Sequence, residues 1–155
     1  MTFLEQVAQA FQAAKLPYAL VGGHAVALHG AVRGTVDIDF VLKWSRNALI
    51  KAEKVLAELG LVSRLPISAA DVFDFREEYI KNRNLIAWNF YHPEDLSKQV
   101  DLIINYDLSG KRVTAMPLGN TNIKVLAISD LIDMKRAAGR AQDVADVAAL
   151  ERIAK

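Results

Sequence analysis

Residues 18–42 decide the fold: Tyr18-Ala19-Leu20-Val21-Gly22-Gly23-His24-Ala25-Val26-Ala27-Leu28-His29-Gly30, Ala31-Val32, then Arg33-Gly34-Thr35-Val36-Asp37-Ile38-Asp39-Phe40-Val41-Leu42. The apolar run from Tyr18 to Val21 predicts a short buried strand ending at paired glycines. His24 to His29 predict a short helix stopped by Gly30. Four of the chain's eight glycines fall between 22 and 34, so the backbone needs its greatest freedom here. Val36 to Leu42 predict a second strand, broken in its apolar pattern only by Asp37 and Asp39.

Working outward, Phe3, Leu4, Val7, Ala8, Phe11 and Ala14 have the spacing of an amphipathic helix over 3–15, and Pro17 prevents its continuation. Downstream, Ser45 is placed to cap a helix over 46–59 that Gly60 stops. Ser68 and Asp71 have capping-box spacing for a helix near 69–80. Leu85 to Tyr91 and Gln99 to Ile104 predict strands on either side of a turn at Pro93. Val113 to Met116 and Asn122 to Val125 predict a short hairpin. Ser129 is the expected cap of a helix through Ala138, and Gly139 separates it from a helix over 141–153. Helices interleaved with strands predict an α/β (α+β) chain, a mixed β-sheet flanked by helices. The expected organisation is one domain over 1–155, with a core at 18–128 and closing helices at 129–153.

Composition removes several classes of function. The 155 residues are 52% hydrophobic and 24% charged, as in globular domains rather than disordered or fibrous chains. Nineteen Lys and Arg against 18 Asp and Glu give a net charge of +1, which excludes a generally basic nucleic-acid coat and a polybasic membrane anchor. With no cysteine there is no disulfide framework, thiolate zinc site or Cys nucleophile. No apolar run approaches the ~20 residues of a membrane span, and the N-terminus lacks a signal-peptide pattern. The expectation is a soluble, cytoplasmic chain with no membrane partner.

Asp37 and Asp39 lie two apart, so on a strand they project from one face. Like charges held close together in a partly buried place need a compensating cation. Mg²⁺ suits them, since it prefers hard oxygen ligands and completes its shell with water and phosphates. The alternative is a solvent-facing edge strand. Gly22-Gly23 lets backbone amides approach a phosphate closely at a helix start; the alternative is a tight turn. Asp101, in Val100-Asp101-Leu102-Ile103-Ile104, is a third carboxylate in an apolar strand; the alternative is a residue at the strand's N-terminal end facing water. If its strand adjoins the Asp37–Asp39 strand, the three can share two metals, with Asp101 also able to take a hydroxyl proton.

These motifs resemble the nucleotidyltransferase superfamily of DNA polymerase beta. More narrowly, the chain is similar to the minimal bacterial nucleotidyltransferases grouped with the type IV abortive-infection toxins. Lys135-Arg136-Ala137-Ala138-Gly139-Arg140 and Asp143-Val144-Ala145-Asp146 resemble that group's closing helices. The resemblance implies a polymerase beta-like fold and a metal-dependent enzyme that moves a nucleoside monophosphate from a nucleoside triphosphate to a hydroxyl. Asp37, Asp39 and Asp101 would be the metal ligands, with Asp101 also the base. Gly22, Gly23 and Lys135 would meet the nucleotide's phosphates. Much of the superfamily has Ser where this chain has Gly23. Two Mg²⁺ ions are implied, with Mn²⁺ the alternative. The acceptor is an RNA 3′ end, a protein or a small molecule, and a toxin-antitoxin or phage-defence setting, a homodimer and a partner protein stay open. So does a non-catalytic nucleotide-binding or antitoxin-like module.

Other residues carry weaker readings. Arg33 precedes the acidic strand and is placed to neutralise a phosphate or to pair with a surface acid. His24 and His29 suit packing or local hydrogen bonds, and Asp143 and Asp146 suit a helix start or pairing with Arg140. Arg76, Lys81 and Arg83 are expected on a solvated face, and Trp44, Trp88 and Phe90 in packing.

Overall fold

A computed structural model describes every residue except 32, 33, 35 and 36. Its elements run α1 (Phe3–Ala13), β1 (Tyr18–Val21), α2 (Gly22–Leu28), β2 (Asp39–Leu42), α3 (Arg46–Glu58), β3 (Val62–Ser63), α4 (Ala69–Asp74), α5 (Arg76–Arg83), β4 (Ala87–His92), β5 (Asp95–Ile103), β6 (Val113–Leu118), β7 (Thr121–Leu126), α6 (Ile128–Ala138) and α7 (Ala141–Ala154). The strands form one seven-stranded sheet in the order β3-β4-β5-β2-β1-β7-β6. Two pairings are parallel, β1 with β7 and β2 with β5. The others are antiparallel, so the sheet is mixed, as the interleaved pattern predicts.

One face of the sheet carries the large side chains of the core, while Ala19, Val21, Val41 and Leu126 bury the central strands from the other. Tyr18, Leu20, Phe40, Leu42, Trp88, Phe90, Val100 and Leu102 alternate inward and are buried. Phe11 of α1 packs on Tyr18 and Phe40 with ring centroids 5.3 and 5.0 Å apart. The Tyr18 hydroxyl accepts from Gln12 Nε2 at 2.8 Å, so its burial leaves the phenol oxygen satisfied. On the opposite face of β4 and β5, Ala87, Asn89, Tyr91, Gln99, Asp101 and Ile103 are only half-buried. That open face is where the polar side chains collect.

Several elements depart from the sequence expectation. The helix near 69–80 is two, broken at Phe75 (φ −115°, ψ 27°) between α4 and α5. The Ser68–Asp71 capping box is present as expected. Ser129 does not cap α6: the cap is Ala127 and the helix starts two residues earlier than expected, with Ser129 inside its first turn. Because Ile128 continues the apolar face, the helix begins with it. α2 begins at Gly22 itself, not at His24. β3 was not foreseen, since two residues are too few for periodicity to register. β2 begins at Asp39, which leaves Asp37 just outside the strand.

Phe40 touches both Phe11 and Tyr18 at the centre of this core. Phe40→Ala is expected to cost about 3–5 kcal/mol, read as a lowered midpoint with an unchanged slope in urea unfolding.

Candidate active site

β2 and β5 lie side by side and parallel, and their register sets Asp39 directly beside Asp101. Adjacent strands are about 4.8 Å apart, so two carboxylates share one row and one face. The Asp101 amide donates to the Ile38 carbonyl at 2.8 Å, which fixes that register. Burial, then the charge of Asp101 and a hydrogen bond with it, then the charge of Asp37, push the Asp39 carboxyl up to about 7; Lys135 opposes them. The three predicted acids therefore converge electrostatically, with Asp37 exposed at the edge and Asp39 half-buried.

Gly22 makes room for them. It holds φ +73°, and a Cβ there would stand 2.1 Å from Asp39 Oδ2 and 3.0 Å from its Cγ. Any side chain at position 22 would displace Asp39. Gly23 is buried in the first turn of α2, where the helix start has no side-chain cap. Backbone N–H groups at such a start lack the partner that a Ser, Thr or Asp would supply.

Asn89 was not anticipated. It sits opposite Asp101 on β4, and its Nδ2 donates to Asp101 Oδ1 at 2.8 Å. The available signal was an amide between Trp88 and Phe90, on the face that alternates away from the core. Arg140 is also within electrostatic reach, since Asp39 helps to raise its pKa.

Lys135 lies near the carboxylates, but its ammonium is engaged elsewhere. It is buried, with Nζ 3.1 Å from Asp143 Oδ1 and 3.1 Å from Asp146 Oδ2. Arg140 Nε holds Asp143 Oδ2 at 2.7 Å. Burial alone would raise the Asp143 pKa; hydrogen bonds from Arg140 and Lys135 outweigh it and bring the carboxyl down to about 2. The expected pairing of Asp143 with Arg140 is therefore present, with Lys135 as a further partner.

The remaining candidates scatter. Arg33 lies outside the described residues. His29 Nε2 lies 2.8 Å from the Leu126 carbonyl, a local hydrogen bond. His24 has its pKa lowered by burial, against the charge of Asp37. Arg76 donates to the Ile104 carbonyl at 2.7 Å and covers Trp44 at 4.1 Å, while Lys81 pairs with Glu77 at 3.0 Å. Trp88 and Phe90 are core residues. Grooves of about 450 and 250 Å³ flank Pro17, at the far end of β1 from Gly22, and include none of the candidate residues.

Asp39, whose carboxyl is held well above the usual range, and its neighbour Asp101 offer oxygen donors only, the chemistry a hard divalent cation would meet. Among the described residues, no three His, Cys, Asp or Glu side chains are grouped so that they could hold a metal ion by themselves.

No family model and no curated protein matches the chain. Solved structures do. The lincosamide antibiotic adenylyltransferase LnuA, in a lincomycin-bound structure, matches with a TM-score of 0.63 at 15% identity, over 97% of this chain and 96% of that one. The antibiotic-resistance factor ANT(2'')-Ia matches with a TM-score of 0.61 at 12% identity, over 96% and 80%; a further structure of it holds adenylyl-2''-tobramycin. An antigenic nucleotidyltransferase-like protein from Paracoccidioides brasiliensis matches with a TM-score of 0.58 at 16% identity, over 92% and 71%. The mixed sheet with flanking helices is thus the fold of known nucleotidyltransferases.

Two outcomes follow from this geometry. Gly22→Ala combines a left-handed backbone with a clash on Asp39, and is expected to cost about 1–3 kcal/mol and to weaken Mn²⁺ binding in a calorimetric titration. Asp39 holds its proton more tightly folded than unfolded, its carboxyl pushed from the ordinary carboxylate range up to about 7, so metal-free stability falls as pH rises from about 4 to about 7. In Asp39→Asn that part of the slope vanishes, and in EDTA the variant should melt higher than the parent at pH 8 but not at pH 4.

Proposed function

We propose that the chain is a metal-dependent nucleotidyltransferase of the polymerase beta-like superfamily. It moves a nucleoside monophosphate from a nucleoside triphosphate to an acceptor hydroxyl. The observation that carries this reading is the pair Asp39 and Asp101, held in register beside a glycine that only a missing side chain allows. A scaffold has no use for two carboxylates set side by side, one of them held well above the usual carboxylate range.

In this reading the acceptor oxygen bonds to the α-phosphorus, the bond from that phosphorus to the bridging oxygen of the β-phosphate breaks, and pyrophosphate leaves. The amides of Gly22 and Gly23 receive the phosphates at the uncapped start of α2. Asp101 accepts the acceptor's proton, with Asn89 holding one of its oxygens so that the other faces the site. Asp37, Asp39 and Asp101 would hold Mg²⁺, or Mn²⁺ in its place. When bound, the ion supplies neutralising charge for the triphosphate and lowers the pKa of the attacking hydroxyl. Lys135 and Arg140 supply positive charge from the closing helices, balanced by Asp143 and Asp146. Arg33 is a further phosphate contact in this reading.

The test is transfer of label from α-³²P-labelled nucleoside triphosphates, with pyrophosphate release followed in parallel. EDTA should abolish both signals, and Asp39→Asn should lower the rate about a hundredfold or more. Wild-type transfer by Asp39→Asn would overturn the assignment. A triphosphate at a hundred times its Kd with Mg²⁺ should add about 2.7 kcal/mol of stability, seen as a raised melting midpoint.

A further inference from the structure

A single row of backbone positions crosses four strands of the sheet at the level of the site. Val21 pairs with Asp39, Asp39 with Asp101, and Asp101 with Asn89. The Arg64 amide then donates to the Asn89 carbonyl at 2.9 Å, extending the row past β3. Along it stand the glycine turn, two carboxylates, an amide and a guanidinium. Arg64 is two strand spacings from Asp101, about 10 Å.

The Arg64 side chain is held in place without being neutralised. Its Nε donates to Asn89 Oδ1 at 2.7 Å and its Nη2 to Gln99 Oε1 at 3.4 Å. The guanidinium lies over the Tyr91 ring, 4.4 Å from the centroid. Both hydrogen-bond partners are uncharged, and among the described residues no carboxylate pairs with it. Of five N–H donors, three remain, both on Nη1 and one on Nη2. That edge is the two-pronged fork that binds a tetrahedral oxyanion. Arg64 is exposed, on the half-buried polar face that carries Asp101.

We propose that Arg64 is an acceptor subsite, a phosphate-binding position on the side of Asp101 away from the glycine turn. The acceptor would present its hydroxyl to Asp101 and a phosphate of its own to Arg64. This rests on the nucleotidyl-transfer reading for the identity of the acceptor, though not for phosphate binding itself. The positive charge of Arg64 disfavours a polycationic acceptor there. Asn89 joins the two halves: one amide orients Asp101 through Nδ2 and Arg64 through Oδ1.

The experiment follows the Arg64 Nε–H resonance of the full chain in ¹H–¹⁵N spectra, with calorimetric titrations beside it. The probes are ribose 5-phosphate, a short single-stranded RNA with a free 3′ hydroxyl, ribose and tobramycin. A phosphate-bearing probe should shift the resonance while ribose and tobramycin leave it in place. Arg64→Gln should weaken that probe about tenfold, Arg64→Lys should fall between that and the parent because it keeps the charge and loses the fork, and both should keep the Mg²⁺-triphosphate rise in melting midpoint. Tighter binding of RNA identifies a strand end as the source of the phosphate; tighter binding of ribose 5-phosphate identifies a phosphorylated small molecule. Equal affinity in parent and Arg64→Gln, a resonance unmoved by either phosphate, or tobramycin binding at this position would overturn the proposal. If the triphosphate has no effect but phosphate binding still depends on Arg64, nucleotidyl transfer fails and the subsite stands.

Discussion

Two carboxylates side by side on parallel strands set the terms for everything around them. The hydrogen-bond ladder between β2 and β5 keeps Asp39 and Asp101 together at an electrostatic cost, and their neighbours are arranged to manage it. Gly22 withholds a side chain, Asn89 donates to one carboxylate oxygen, and Lys135 and Arg140 bring positive charge from the closing helices. A packed scaffold would replace either acid with an apolar residue, because an apolar pair of similar volume carries no desolvation cost. Keeping both points to use rather than to stability.

The closing helices contribute charge in a form that is already internally balanced. Lys135, Asp143 and Asp146 are all buried, and a buried ion group is costly chiefly when it loses a partner. The left-handed Gly139 turn lets α7 fold back so that its first two turns deliver both acids to one ammonium. The result fixes α6 against α7 and holds a lysine at a defined distance from the carboxylates. A long flexible side chain on an exposed helix would not do this, since its rotamer freedom would be lost each time it engaged.

Much of this was legible in the chain. The glycine pair and the Asp37–Asp39 spacing pointed to the same corner of the molecule, because both follow from local rules of strand and turn. The alternating β4 and β5 strands, the Ser45 and Ser68 caps and the Gly139 break were likewise local. What could not be read was pairing between distant strands. Nothing in residues 85–104 shows that Asp101 lands beside Asp39; only the resemblance supplied that. Asn89 and Arg64 were missed for the same reason, since their meaning comes from the row they join. Lys135 was recognised as basic and relevant, but its burial between two aspartates depends on how α7 docks.

The brevity of β3 has a consequence of another kind. A seven-stranded sheet has two borders, and an unpaired border is a template on which a second molecule can polymerise. One border is a strand of two residues, Val62–Ser63, followed at once by charged Arg64 and then by Pro66. The other, β6, carries Pro117, which has no N–H to offer a newcomer. A chain with one polar sheet face left open thereby remains a poor seed for aggregation at both of its exposed borders.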